Sequence, residues 1–418
     1  MSGKRSLTNA HINALMHEFS IDELEHKLKP KLDNPVKAYA PTAKVNAHRV
    51  NRMWKSLGGK VDKSILDSWT EDHLEKFDGN IENCIGSIKV PLGVAGPLRV
   101  NGLFAQGDYA IPLATSEAAL VASYHRGACV ISASGGCSSM LLYQALNRSP
   151  AFVFTSLADA GKFVAWSMQE FEAFQQKANA TSSHGKLVDI GTTVEGNHVY
   201  LNFEFTTGDA SGQNMVTIAT QAVCDYIEEH YPAKIEQVYV EGNLSGDKKA
   251  SSQAYSSVRG RKVSAEVNIS RELLEKYLHV TPEEMENYWR VSALGGVLSG
   301  TLGVQGHFAN GLAALYLATG QDAACVAESA MGVTRFEINA NGGLYAAVTL
   351  PSVMVGTVGG GTGLPSQRAC LEMMGLYGTG HSCALAEVCA GVLLGGELSI
   401  IAALATGSFT KAHRKLAR

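Results

Sequence analysis

Apolar residues along this chain follow two rhythms that change at recognisable punctuation. Near the N-terminus, Ile21-Asp-Glu-Leu-Glu-His-Lys-Leu28 places apolar side chains at helical spacing, and Pro30 ends the run. This first stretch, residues 1–84, is the most charged part and is expected to be a helical N-terminal domain. From Gly86 onward the texture turns apolar and irregular in Ile88-Lys-Val-Pro-Leu-Gly-Val-Ala-Gly-Pro97, where two prolines exclude continuous helix. Between 150 and 241 the pattern predicts a strand at 152–154, a helix over 158–178, an alternating strand at 198–205, a helix over 214–230 ended by Pro232, and a strand at 235–240. Strand, helix, strands, helix, strand is the order of a split βαβ, ferredoxin-like unit. Beyond Lys249 the chain reads as long apolar helices interrupted by Gly295-Gly296, Gly320, 359–361 and Gly395-Gly396. The expected class is α+β. A large α/β domain, 85–149 with 242–418, carries an inserted small domain at 150–241.

Composition narrows the function classes. The chain has 418 residues, a formal net charge of −4 and 18% charged residues, so it carries no basic field for nucleic acid or anionic lipid. Its eight cysteines have no Cys-x-x-Cys spacing and read as thiols in a reducing compartment. The N-terminus has no apolar signal-like core, and a cytoplasmic location is expected. No His, Cys or Asp spacing resembles a metal site, and neither a dinucleotide fingerprint nor a Walker sequence occurs.

Candidate chemistry begins in Gly242-Asn-Leu-Ser-Gly-Asp-Lys-Lys249, where a carboxylate and two ammonium groups ride on small residues after a strand. Such a turn is either a solvated charge run or a place where a ligand's developing negative charge meets fixed positive charge. Glu117 follows Thr115 and Ser116 at the expected start of a helix, where it either complements the helix dipole or, desolvated, donates a proton. Asp322 stands among Ala and Cys residues after Gly320; it caps a further helix or pairs with Lys248. The segment Gly208-Asp-Ala-Ser-Gly-Gln-Asn-Met215 separates strand from helix, with Asp209 or Ser211 as cap, and the helix N-terminus suits an anionic cofactor group. The glycine run 356–363 is either a tight turn or a ligand loop, and His413 in the basic tail is either solvated or a mobile proton donor.

Taken in order, these motifs, with Glu82-Asn-Cys-Ile-Gly86 and Pro91-Leu-Gly-Val-Ala-Gly-Pro-Leu98, resemble the 3-hydroxy-3-methylglutaryl-coenzyme A (HMG-CoA) reductase family over about four fifths of the chain. The resemblance is to soluble members of its biosynthetic class. It implies reduction of HMG-CoA to mevalonate by two NADPH, with NADH as the alternative cofactor and no metal. It also implies that Lys248 stabilises the oxyanion, Glu117 donates a proton to the aldehyde, Asp322 bonds both, and His413 protonates the departing thiolate. Arg148, Lys249 and Asn310 would contact the acyl group, and Ser123, Arg126 and Arg290 the coenzyme A phosphates. Asp209, Ser211, Gly212, Gln213, Asn214 and Met215 would bind the nicotinamide cofactor. A homodimer or homotetramer with active sites between subunits is implied.

The chain departs from the family pattern at Glu241 and Ala250, where Ser and Pro are usual, at His125, and within 209–215. An arginine usual near the cofactor's ribose phosphate is replaced around Ser183, with His184 and Lys186 nearby. The rival readings are a reductase of a related acyl-CoA and a non-catalytic acyl-CoA-binding homologue.

Overall fold

The computed structural model describes residues 10, 12–33, 38–39 and 41–407, in two compact units, 1–87 and 88–418. In the first, the helix Ile21–Leu28 begins with a reciprocal capping box between Ser20 and Glu23 and ends at Lys29, just before Pro30. Its core gathers Val45, Val50, Trp54, Leu66, Leu74 and Cys84, and the Trp54 indole donates to the Ile85 carbonyl at 2.9 Å.

The second unit is built on eleven strands: β1 Leu92–Gly102, β2 Gln106–Ala114, β3 Cys137–Arg148, β4 Ala151–Val153, β5 Lys186–Glu195, β6 His198–Thr206, β7 Gln237–Tyr239, β8 Gly260–Ile269, β9 Gly303–Val304, β10 Gly332–Ile338 and β11 Leu344–Val353. They hydrogen-bond in the order β7-β4-β6-β3-β8-β11-β10-β9, with β1 on β2 and β3, and β5 on β6. Helices and mixed strands together make the expected α+β class. The order β7-β4-β6-β5, with helices between β4 and β5 and between β6 and β7, is the split βαβ arrangement. β3 joins the halves: most of it pairs with β8, while Leu146–Arg148 pairs with β6. The chain leaves β3 at Arg148 and returns at Gly242, whose amide donates to the Ser149 carbonyl at 2.6 Å. Residues 148 and 241–249 are therefore neighbours.

Several expectations need correction. The irregular 88–97 stretch is largely strand, because β1 absorbs its Gly-Pro as a register shift between Ala95 and Leu98. The 158–178 helix is two, Leu157–Gln169 and Phe171–Asn179, meeting at Glu170. The region after Lys249 also holds β8 to β11. The alternation in β8, buried at Val263, Ala265, Val267 and Ile269, marks one as a strand.

Nor do Gly295-Gly296 and Gly395-Gly396 break helices: Pro282–Ser299 and Ser382–Ala405 run through them. In the second helix close packing explains the glycines, since a Cβ on Gly396 would lie 2.4 Å from the Tyr124 ring, and one on Gly127 would lie 1.9 Å from the Gly395 carbonyl oxygen.

Ser382–Ala405 is long and apolar enough to cross a membrane, yet it is mostly buried as the core helix, packed on β1, β3, β8 and β11. Two fully buried carboxylates interrupt its apolar surface. Glu387 accepts from the amides of Leu103, Phe104, Ala105 and Leu141 at 2.8–3.2 Å. Glu397 accepts from the amides of Gly306 and His307, the Thr334 hydroxyl and His307 Nδ1. Each turns an otherwise featureless helix into a keyed one, because loop amides that must be satisfied away from water find their acceptor only in one register. Glu387→Ala is expected to leave several of these amides unpaired and to destabilise the fold by at least about 3 kcal/mol, read as a lowered denaturation midpoint. A change near zero would show that water replaces the carboxylate.

Candidate active site

The loop after β7 carries Lys248 with a left-handed backbone, φ 56°. Its amide points to Glu328 Oε1 at 3.3 Å, and its ammonium reaches Asp322 Oδ2 at 2.9 Å. Asp322 also caps the short 3-10 turn Ala323–Cys325 by accepting from the Ala324 amide, so capping and pairing with Lys248 both hold. The hydrogen bond that Lys248 donates to Asp322 raises the Lys248 pKa. Burial alone would raise the Asp322 carboxyl, but Lys248 and the Ala324 amide outweigh it and hold it below its usual value. Both side chains remain more than two fifths exposed, which leaves the ammonium open to a ligand.

Beneath this pair lies a charge cluster. Asp247, the carboxylate beside the two lysines, accepts from Arg148 at 3.0 Å and from Arg259 at 2.6 Å. Lys249 donates to the Asp247 carbonyl. Arg259 is almost wholly buried; it donates to the Asn147 carbonyl and brings Nε to 2.6 Å from Glu328 Oε2. That last contact is an ion pair without hydrogen-bond alignment, because neither atom has a hydrogen-bond partner. Burial raises the Glu328 carboxyl despite Arg259. For Asp247 burial acts in the same direction, but Arg259 and Arg148 prevail and lower it.

Residues 210–215, Lys248, Asp322, Gly356 and 358–362 line one cavity of about 470 Å³, whereas Asp209, expected in the same set, does not line it. Neither Asp209 nor Ser211 caps the helix Gln213–His230; its N-cap is Gly212, φ 80°, with no side-chain acceptor. Asp209 is drawn instead to the start of the core helix, accepting from the Gly380 and Ser382 amides. The first helical amides are thus left for a ligand. Glycine is required here because a Cβ on Gly356 would lie 2.6 Å from the Ser211 amide nitrogen. Beside the cavity, Gly185 packs against the Met215 thioether, bringing the turn with His184 next to this loop.

Glu117 lies elsewhere. The expected helix begins only at Leu120, after Ala119 adopts φ 70°, so Glu117 sits in a preceding turn, with its amide on the Thr115 hydroxyl. It is exposed and receives Asn310 Nδ2 at 3.4 Å. Glu117, Asn310, Ser123, Arg126 and His307 line a second cavity of about 420 Å³ that shares no residue with the first. Ser123 and Arg126 are both anchored to Ser399 of the core helix. Arg290 lines neither cavity and forms an exposed pair with Glu286. His413 falls outside the described residues.

A family model described as hydroxymethylglutaryl-coenzyme A reductase matches residues 47–418. The chain belongs to this family. It is 42% identical over 344 residues to the 3-hydroxy-3-methylglutaryl-coenzyme A reductase of Methanocaldococcus jannaschii, covering 81% of this chain and 85% of that one. It is 43% identical over 350 residues to that of Haloferax volcanii, covering 82% and 86%. In fold it is similar to a class II reductase from Streptococcus pneumoniae solved with NADPH, with a TM-score of 0.65, 18% identity, and coverage of 88% of this chain and 97% of that one.

Within this reductase-family chain, the residues that sequence reasoning missed are Arg259, Glu328, His307 and Glu397. Glu328 carried the same signal as Asp322, a carboxylate in an apolar run, and Arg259 stands in the basic Val-Arg-Gly-Arg-Lys262. Among the described residues no cluster could hold a metal ion.

Asp247 supplies a pH test. Its folded-state pKa lies below the unfolded value of about 3.9, so its contribution is present above that value and is lost as pH falls through the folded pKa. Asp247→Asn is expected to lower stability by on the order of 2–3 kcal/mol at neutral pH, less than for a fully buried pair. The gap should close in acid. Denaturation midpoints of both proteins across pH check this, and a gap that widens in acid would contradict the assignment.

Proposed function

We propose that this HMG-CoA reductase family member performs the NADPH-dependent, four-electron reduction of HMG-CoA to mevalonate and coenzyme A in active sites completed between two copies of the chain. The Lys248–Asp322 pair carries the reading: a charged ammonium held at 2.9 Å by a carboxylate, facing the cavity that residues 210–215 also line. Uncapped helix amides and close-packed glycines fit a flat anionic cofactor there, held by 212–215 and 359–362. When bound, that cofactor supplies hydride.

Lys248 stabilises negative charge on the acyl oxygen at each reduction, and Asp322 fixes its position. Glu117 gives a proton to the aldehyde oxygen as it becomes an alcohol, and the proton for the departing coenzyme A sulfur is assigned to His413. Asn310 holds the Glu117 carboxyl, while Ser123 and Arg126 meet coenzyme A. Over the whole reaction two hydrides and two protons enter, the thioester C–S bond breaks, and one C–OH forms.

Glu117 and Lys248 line separate cavities within one chain, and Glu117 is exposed rather than desolvated. A second copy that brings its Glu117 to this Lys248 would supply both the missing proton donor and the missing burial. The inserted unit at 150–241 is the part assigned to the cofactor. The eight free cysteines suit the proposed cytoplasmic location.

Purified protein given HMG-CoA and NADPH should oxidise the cofactor and release mevalonate; no turnover would refute the reading. Lys248→Ala should lower kcat by at least about 100-fold while coenzyme A still binds. Mixing the inactive Glu117→Gln and Lys248→Ala variants, with subunit exchange, should restore about a quarter of wild-type activity, because half of the dimers carry one intact composite site. No recovery on mixing would place both residues in the same chain's site.

A further inference from the structure

The family resemblance assigns the acyl carboxylate to Arg148 or Lys249, and the Arg148 side chain is only 7% exposed. Its Nη1 is already shared by two carboxylates of its own chain, Asp247 at 3.0 Å and Glu241 at 3.1 Å, while its buried Nε has no acceptor. Asp247 is also bound by Arg259. Among the described residues Glu241 has no second cation: its other partners there are the Ser245 hydroxyl at 2.9 Å and the Asn243 amide at 2.7 Å. The connected cluster thus sets three carboxylates, Glu241, Asp247 and Glu328, against two guanidiniums. Lys248 is compensated by Asp322. A substrate carboxylate arriving at Arg148 meets an arginine whose charge is spent.

We propose that Glu241 is an internal stand-in for the acyl carboxylate: it occupies Arg148 in the free protein, and binding of an anionic acyl-CoA exchanges one carboxylate for the other. Glu241 is three-quarters buried at the edge of the cluster, so it can turn outward, whereas Asp247 is tied to a second, buried arginine. Because the same carboxylate takes hydrogen bonds from Asn243 and Ser245, its departure also releases the loop that carries Lys248. Occupancy of the acyl pocket is thereby coupled to the placement of the ammonium. Glu241 is a specificity-determining and positioning residue whose cost is affinity: removing its charge lets Arg148 bind the substrate without competition.

This inference rests on the reductase reading and is tested beside it. Glu241→Gln keeps an acceptor for Ser245 and Asn243 but removes the charge; Glu241→Ser removes both and serves as the second variant. For Glu241→Gln the KM for HMG-CoA and the inhibition constant of free 3-hydroxy-3-methylglutarate should each fall by about three- to tenfold. Affinity for coenzyme A, which lacks the acyl carboxylate, and the KM for NADPH should stay put. Glu241→Ser should show the same tightening of the free acid. An unchanged or raised KM in an active Glu241→Gln enzyme would overturn the proposal. So would equal shifts for coenzyme A and the acyl ligands, the mark of a merely structural loop anchor. If the wild-type protein does not turn over HMG-CoA, the reductase reading fails, and calorimetric binding of 3-hydroxy-3-methylglutarate to wild type and Glu241→Gln still decides the exchange.

Discussion

Asp247 lies between two guanidiniums, Arg148 at 3.0 Å and Arg259 at 2.6 Å, and these contacts tie the lysine loop to the sheet. Arg148 ends β3, and Arg259 immediately precedes β8, its antiparallel partner. The carboxylate therefore binds both strands just where the inserted segment departs and returns. With Asp247 held from below, Lys248 at φ 56° points the other way, toward Asp322. A buried guanidinium that loses its carboxylate is costly, on the order of 3–5 kcal/mol. Any arrangement that pulled Asp247 off Arg259 would therefore strand a charge, so the loop is anchored at this residue.

The same constraint operates in the core. Glu387 and Glu397 would be intolerable in an apolar helix if they faced hydrocarbon, yet each is surrounded by hydrogen-bond donors. Glu397 reaches the entrance of the Glu117 cavity through His307, whose ring it holds through Nδ1 and which stacks on Tyr124. Ser399, two residues on, anchors Ser123 and Arg126. One core helix thus positions one wall of the Glu117 cavity, and the Asp247 cluster positions the Lys248 ammonium. The two candidate cavities rest on separate buried polar systems.

Much of the candidate site was legible because it depends on residue type at punctuated places. Lys248, Asp322 and the 209–215 loop could be singled out from charge beside glycine at strand and helix ends, and all but Asp209 line one cavity. Arg259 and Glu328 were harder to see, since a buried pair has the sequence appearance of two ordinary charges until burial is known. The strands β8 to β11 were overlooked amid a Gly/Ala-rich texture that favours helix. The glycines at 395–396 were read as breaks when they are contacts.

From its sequence alone, this chain's α+β class and its split βαβ segment were determined and its candidate reactive groups were singled out, because periodicity and local chemistry are properties of neighbours along the backbone. Tertiary structure decided which carboxylate serves which cation. Asp247 left the lysines for two arginines, Asp322 took Lys248, Asp209 went to the core helix, and Glu241 took a share of Arg148. Ion pairing depends on distance and burial, and those arise only when β3, β8 and the returning loop are brought side by side.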